Sequence, residues 1–139
     1  MSATRRDVRE SAFLLCYEKM LREDELEDIF ASAEESGEII VNDEVKETVR
    51  DIFEKSEELD KIISEYSDKR VVDRIPKVNL AVLRLAIYQA LYDEKSPVNV
   101  AISEAVALTQ KYAYESDVAF VNGVLGSFSK GLKKENEEK

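Results

Sequence analysis

Arg5, Arg6 and Arg9 fall within the first ten residues of the chain. Guanidinium forks match the oxygens of phosphate, and on a helix Arg5 and Arg9 share one face with Arg6 beside them. Three positive charges at a helix start oppose the helix dipole, so something must offset them. Asp7 and Glu10 could do so from within the chain, or a phosphate from outside. A second grouping is Lys111 with Tyr112 and Tyr114. A base beside aromatics suits single-stranded RNA, with charge for phosphate and rings for bases. Tyr112 is expected in the core, and Tyr114, in a loop, on the surface. Asn122 could use its amide to cap a loop or helix end inside the fold, or to touch a ligand.

Other chemistry is poorly provided for. There is no histidine and one cysteine, Cys16, in 139 residues. The commonest general base and metal ligand are therefore missing, and neither a structural zinc site nor an internal disulfide can form. Cys16 sits among apolar residues and reads as a small buried hydrophobe. Neither a phosphate-cradling glycine loop nor a dinucleotide fingerprint occurs. Glu34-Glu35 and Glu57-Glu58 are sequence neighbours, which do not face each other on a helix. Binding is thus the expected activity, with no catalytic residue, cofactor or metal.

The net charge is -10, and it is unevenly spread. Residues 21–66 hold 17 acids against five bases, whereas the flanking segments are nearly balanced. Such a chain binds nucleic acid through a local basic patch or hardly at all. No apolar run is long enough to span a membrane, and the opening lacks the apolar stretch of a secretory signal. A cytoplasmic location is expected.

Four glycines and two prolines leave little punctuation, and helix formers dominate. The expected class is all-α, one compact domain over 1–132 with a frayed charged tail over 133–139. Thr4 suits an N-cap, with Asp7 completing a capping box. A second helix should run from Leu26 and stop at Ser36-Gly37, where glycine tolerates a left-handed turn. Asn42 or Asp43 should cap a third helix, and Ser56 should separate it from a fourth, lined by Leu59, Ile62, Ile63 and Tyr66. A short turn is expected over 71–74. Pro76 should open the stretch VNLAVLRLAIYQALY, apolar nearly all round and hence a buried central helix. Ser96 should cap the next helix with Pro97 in its first position. The last helix should begin near Ser116-Asp117.

Arg84 and Gln89 interrupt the apolar central helix. Arg84 must either pair with an acid from the first half or lie on an exposed edge. An exposed edge bearing Tyr88, Gln89 and Tyr92 would dock a protein, since tyrosine favours interfaces. Gly123 and Gly126 share a face of the last helix, and each costs about 1 kcal/mol against alanine. Close approach to another helix, with Phe120, Val124 and Phe128 packed around them, would account for both.

In this order and spacing, "RRDVRESAFLLCYE", "DRIPKVNLAVLRLAIYQALY" and "PVNVAISEAVALTQKYAYESDVAFVNGVL" resemble the NusB family of bacterial transcription antitermination factors along almost the whole chain. The resemblance implies a roughly seven-helix fold and no enzyme. It implies binding to the boxA element of ribosomal RNA leaders, together with a small ribosomal protein that acts as NusE. Other Nus factors and RNA polymerase would join the assembly, and some members form homodimers. On this resemblance Arg5, Arg6 and Arg9 would face RNA, and Lys111 and Asn122 fall on matching positions; Tyr114 joins them on the strength of its own chemistry. The resemblance puts Tyr17 and Gln89 near the protein partner, and the exposed-edge reading adds Tyr88 and Tyr92. Asp7 and Ala119 stand where members often carry bases, and Gln89 where many carry glutamate. A helical adaptor that binds protein and has little RNA affinity of its own is the alternative.

Overall fold

In a computed structural model the described residues are 3–68 and 72–137. Val71, where the expected turn begins, and residues 138–139 of the expected tail lie outside them. The described residues form seven α-helices and one 3-10 turn, with no strand. The helices are α1 (Arg5–Leu21), α2 (Leu26–Ser36), α3 (Asp43–Glu54), α4 (Ser56–Tyr66), α5 (Lys77–Tyr92), α6 (Val98–Tyr112) and α7 (Glu115–Glu137). The chain divides into two compact units between Lys55 and Ser56, at the α3–α4 junction.

In the first unit α1 packs on α2 and α3. Its start is made locally. Thr4 Oγ1 accepts the Asp7 N–H at 3.0 Å, and Asp7 Oδ2 accepts the Thr4 N–H at 3.2 Å. This reciprocal capping satisfies two amides that a helix start leaves bare. Gly37 ends α2 with φ of 69° and donates its N–H to the Ala33 carbonyl at 3.2 Å. Asn42 caps α3 by accepting the Val45 N–H at 2.9 Å. The apolar face of α1 contributes Val8, Ala12, Phe13, Leu15 and the buried thiol Cys16; Ile29 and Phe30 come from α2, and Val45, Val49 and Ile52 from α3. Ser11 Oγ accepts the Ile40 N–H at 3.2 Å, tying the segment after α2 back to α1.

In the second unit α5 is bordered by α4, α6 and α7. Asn79–Leu83 and Leu85–Gln89 are all buried, so α5 is hidden nearly all round, its polar Asn79 and Gln89 included. Arg84 takes the internal option: its guanidinium makes two bonds to the Asp60 carboxylate, at 2.8 and 2.7 Å. Pro76 stands one position before α5 proper, with an extended ψ of 139°. Between α5 and α6 the expected arrangement changes. Ser96 does not cap α6; its hydroxyl donates to Asp93 Oδ2 at 2.9 Å, and Asp93 Oδ1 accepts the Lys95 N–H. Asp93 therefore builds an Asx-type turn, and α6 starts after Pro97, one residue later than expected. At the far end, α7 stays helical through Glu137.

The glycine expectation is corrected. A Cβ added at Gly123 or Gly126 would meet nothing within 4 Å, so neither marks a close helix approach within the chain. The close approach is at Gly131, where a Cβ would come within 2.8 Å of Tyr66 Cζ. The Tyr66 ring stands edge-on to Phe128, at 5.9 Å and 75°, which leaves it little room to retreat.

Two stability outcomes follow from these contacts. Gly131→Ala should destabilise by about 1–3 kcal/mol, the usual cost of overpacking, whereas Gly123→Ala should stabilise by up to about 1 kcal/mol; chemical denaturation of both variants reads the opposite signs. Asp60→Ala should cost roughly 2–3 kcal/mol by leaving a charged donor without its acceptor, because the Arg84 side chain is only 12% exposed; Arg84→Met in the same background should recover part of that loss.

Candidate functional site

The three N-terminal arginines do not form one uniform patch. Arg5 pairs with both carboxylate oxygens of Glu44 on α3, one contact at 2.6 Å. Arg9 is 5% exposed, which removes it from direct contact with an external phosphate. The reason is helical phase. Arg9 lies three residues before Ala12 and four before Phe13, on the apolar face of α1. Arg6, on the other face, is exposed. The neutralising acid for Arg5 is thus Glu44, while Asp7 is engaged in the capping box.

In the second unit, α6, the two-residue link Ala113-Tyr114 and the start of α7 enclose a groove of about 630 Å³. Val106, Gln110, Tyr114, Val118, Ala119 and Asn122 line it, with Glu115 at its edge. Tyr114 is 81% exposed, the most open large hydrophobic side chain of the described residues. Asn122 is exposed and faces this groove, so the expected role inside the fold is not the one observed. Lys111 is also exposed, its Nζ 5.3 Å from the centroid of the Tyr112 ring. Tyr112 itself is 37% exposed rather than in the core. Structure thus brings Tyr114 and Asn122 to one concavity, with Lys111 and Tyr112 on the last turn of α6 that leads into it. Rings and amides there can stack on and bond to bases, while the lining itself holds no cation for phosphate.

A bond network fixes the link. Asn79 Nδ2 donates to Asp117 Oδ1 at 2.9 Å, and Asp117 Oδ2 accepts the Tyr114 N–H at 3.0 Å. The Asn79 amide first, and the Tyr114 N–H second, hold the Asp117 carboxyl below the usual aspartate range, against the opposing effect of burial. Sequence reasoning placed Asp117 near the helix start but missed its partner on α5. A buried asparagine amid an apolar helix was the available signal.

The residues expected to meet protein are placed unevenly. Gln89 is 3% and Tyr88 9% exposed, so burial withdraws both from any docking surface of the isolated chain. Tyr92 is 43% exposed, stacks at a tilt on Tyr88 at 5.6 Å, and donates its hydroxyl to Glu58. That bond holds the Tyr92 phenol above its ordinary pKa. Tyr17, in the first unit, is half-buried and stacked on Phe13 at 6.2 Å. Among the described residues no cluster of His, Cys, Asp or Glu could hold a metal, and no helix is long and apolar enough to cross a membrane.

The NusB family model matches residues 6–130. The chain belongs to the NusB family. It is 37% identical over 128 residues to the transcription antitermination protein NusB of Acetivibrio thermocellus, covering 91% of this chain and 88% of that one. Its fold is similar to NusB from T. maritima, with a TM-score of 0.77 and 31% identity over 94% of this chain and 93% of that one. It is also similar to a crystal structure of antitermination factors NusB and NusE in complex with dsRNA, with a TM-score of 0.79 and 29% identity, covering 91% and 96% of the two chains. Within this NusB-family chain, the two positions where the resemblance implied bases are occupied by residues with local roles. Asp7 closes the capping box, and Ala119 lines the groove.

Because the folded Asp117 carboxyl is depressed, its contribution is complete above the ordinary aspartate pKa and is lost as pH falls through the lower folded value. The Tyr114 amide should therefore keep its exchange protection down to about pH 4 and lose it only in stronger acid. Asp117→Asn should remove that acid step in an NMR titration.

Proposed function

We propose that this NusB-family chain is a transcription antitermination factor that binds boxA RNA of ribosomal RNA leaders together with the small ribosomal protein acting as NusE. In this reading it works in the cytoplasm, in an assembly with other Nus factors and RNA polymerase, and its free form can pair as a homodimer. The observation that carries the reading is the groove of the second unit, where exposed Tyr114 and Asn122 meet beside Lys111. Support also comes from the similar NusB–NusE structure that holds dsRNA. Tyr114 supplies a stacking platform, Asn122 an amide for base edges, and Lys111 and Arg6 supply charge for phosphates. The exposed tyrosine Tyr92 and the half-buried Tyr17 are the surfaces left for a protein partner.

A second reading has a specific observation in its favour. Arg9 is buried and Arg5 is held by Glu44, so the opening helix offers less free positive charge than its sequence suggests. The chain would then act as an adaptor that holds the ribosomal protein and leaves RNA contact to it.

Titration with a boxA-containing single-stranded oligonucleotide and a scrambled one separates the two. The first reading expects preference for boxA and a loss of about 1–3 kcal/mol for Tyr114→Ala, the usual worth of one stacked base. It also expects Arg6→Ala and Lys111→Ala each to lower the salt slope by about one. Equal weak affinity for both oligonucleotides, with intact binding of the ribosomal protein, would establish the adaptor instead.

A further inference from the structure

We infer that Asn79 and Asp117 are positioning residues that pre-orient Tyr114 for RNA. The inference rests on the RNA-binding reading of the groove. Tyr114 is 81% exposed, so packing of its ring does little to hold it or to stabilise the core. Its backbone is nevertheless tied on both sides. The Tyr114 N–H donates to Asp117 Oδ2 at 3.0 Å, and its carbonyl accepts the N–H groups of Asp117 and Val118 at 2.9 and 3.1 Å. The Asp117 carboxylate is in turn oriented by Asn79, which is 1% exposed on α5, through the 2.9 Å amide bond. Asn79 Oδ1 is buried with no hydrogen-bond partner, so the Asp117 bond alone decides which way this amide points. An amide turned the other way would set oxygen against oxygen.

A helix cap alone needs only the Asp117–Tyr114 exchange. Committing a buried amide of the central helix, with one polar atom left unsatisfied, goes beyond that requirement. The cost is explained if the direction in which the Tyr114 side chain leaves the link matters. A link whose backbone is already held in place loses less conformational entropy when a base stacks on the ring it carries.

The arrangement permits a reversal. In the double variant Asn79→Asp/Asp117→Asn, the amide at position 117 can donate to the carboxylate at 79 and accept the Tyr114 N–H with its own oxygen. Both bonds return with the polarity of the pair exchanged. In Asn79→Asp alone, two carboxylates face each other. In Asp117→Asn alone, one amide nitrogen has no acceptor.

The test uses the full chain and the boxA-containing oligonucleotide at fixed salt, with the scrambled oligonucleotide as control. Asn79→Asp should weaken binding about tenfold, the worth of one charge-assisted bond, and the double variant should return to within about threefold of the parent. In a Tyr114→Ala background, Asn79→Asp should add little further loss, since the group being positioned is gone. The Tyr114 amide resonance should shift in each single variant and move back in the double one, which a general loss of stability would not produce. If Asn79→Asp does not fold, Asn79→Ala, which removes the donor, carries the comparison with Tyr114→Ala. Parent-like affinity in the folded Asn79 variant overturns the positioning role while the RNA-binding reading stands. So does a loss that adds fully to Tyr114→Ala. A parent chain with no preference for boxA removes the RNA-binding reading, and this inference with it.

Discussion

A helix that hides nearly all of its sides can carry a polar group only where a partner is already waiting. α5 meets this constraint twice. Arg84 finds both oxygens of Asp60 on α4, and Asn79 finds Asp117 on α7. Each bond costs desolvation and gives direction in return. Hydrophobic burial would let α4 and α7 slide or roll against α5 with modest loss, but a bidentate guanidinium would not. The second unit therefore has a defined register, and the groove between α6 and α7 inherits it.

The opening of the chain shows how folding and binding draw on the same residues. Asp7 completes a capping box and so withholds a position from phosphate. Arg5 is satisfied by Glu44 inside the first unit. The strongly acidic middle of the chain thus has a structural share in α3, where it anchors a base from α1. Arg6 here and Lys111 in the second unit are the bases of these two groupings that lie exposed on the surface.

Local signals were legible in the sequence. The Thr4–Asp7 pair, Gly37 and Asn42 act over three or four residues, so their chemistry is complete without knowledge of the fold. The buried character of the central helix was legible too, because it depends on composition all round rather than on a partner. Contacts between elements were not. Gly123 and Gly126 look like packing notches by spacing, yet only Gly131 receives a side chain, because the ring that fills it comes from α4. Arg9 looked outward by residue type and is inward by phase, which its spacing to Ala12 and Phe13 already contained. The groove was half visible: Tyr114 stood out as an aromatic in a link, but a concavity depends on how two helices diverge, and no short stretch encodes that.

The seat of Tyr66 on Gly131 reaches further than its own contact. An α-helix of 23 residues such as α7 is about 34 Å long, and each residue turns it by about 100°. A slip of one position would bring Lys130 or Leu132 under the ring, and neither can admit it. The missing side chain therefore works as a keyway: it sets the azimuth of the whole rod, including the end some 14 Å away where Asn122 looks into its hollow.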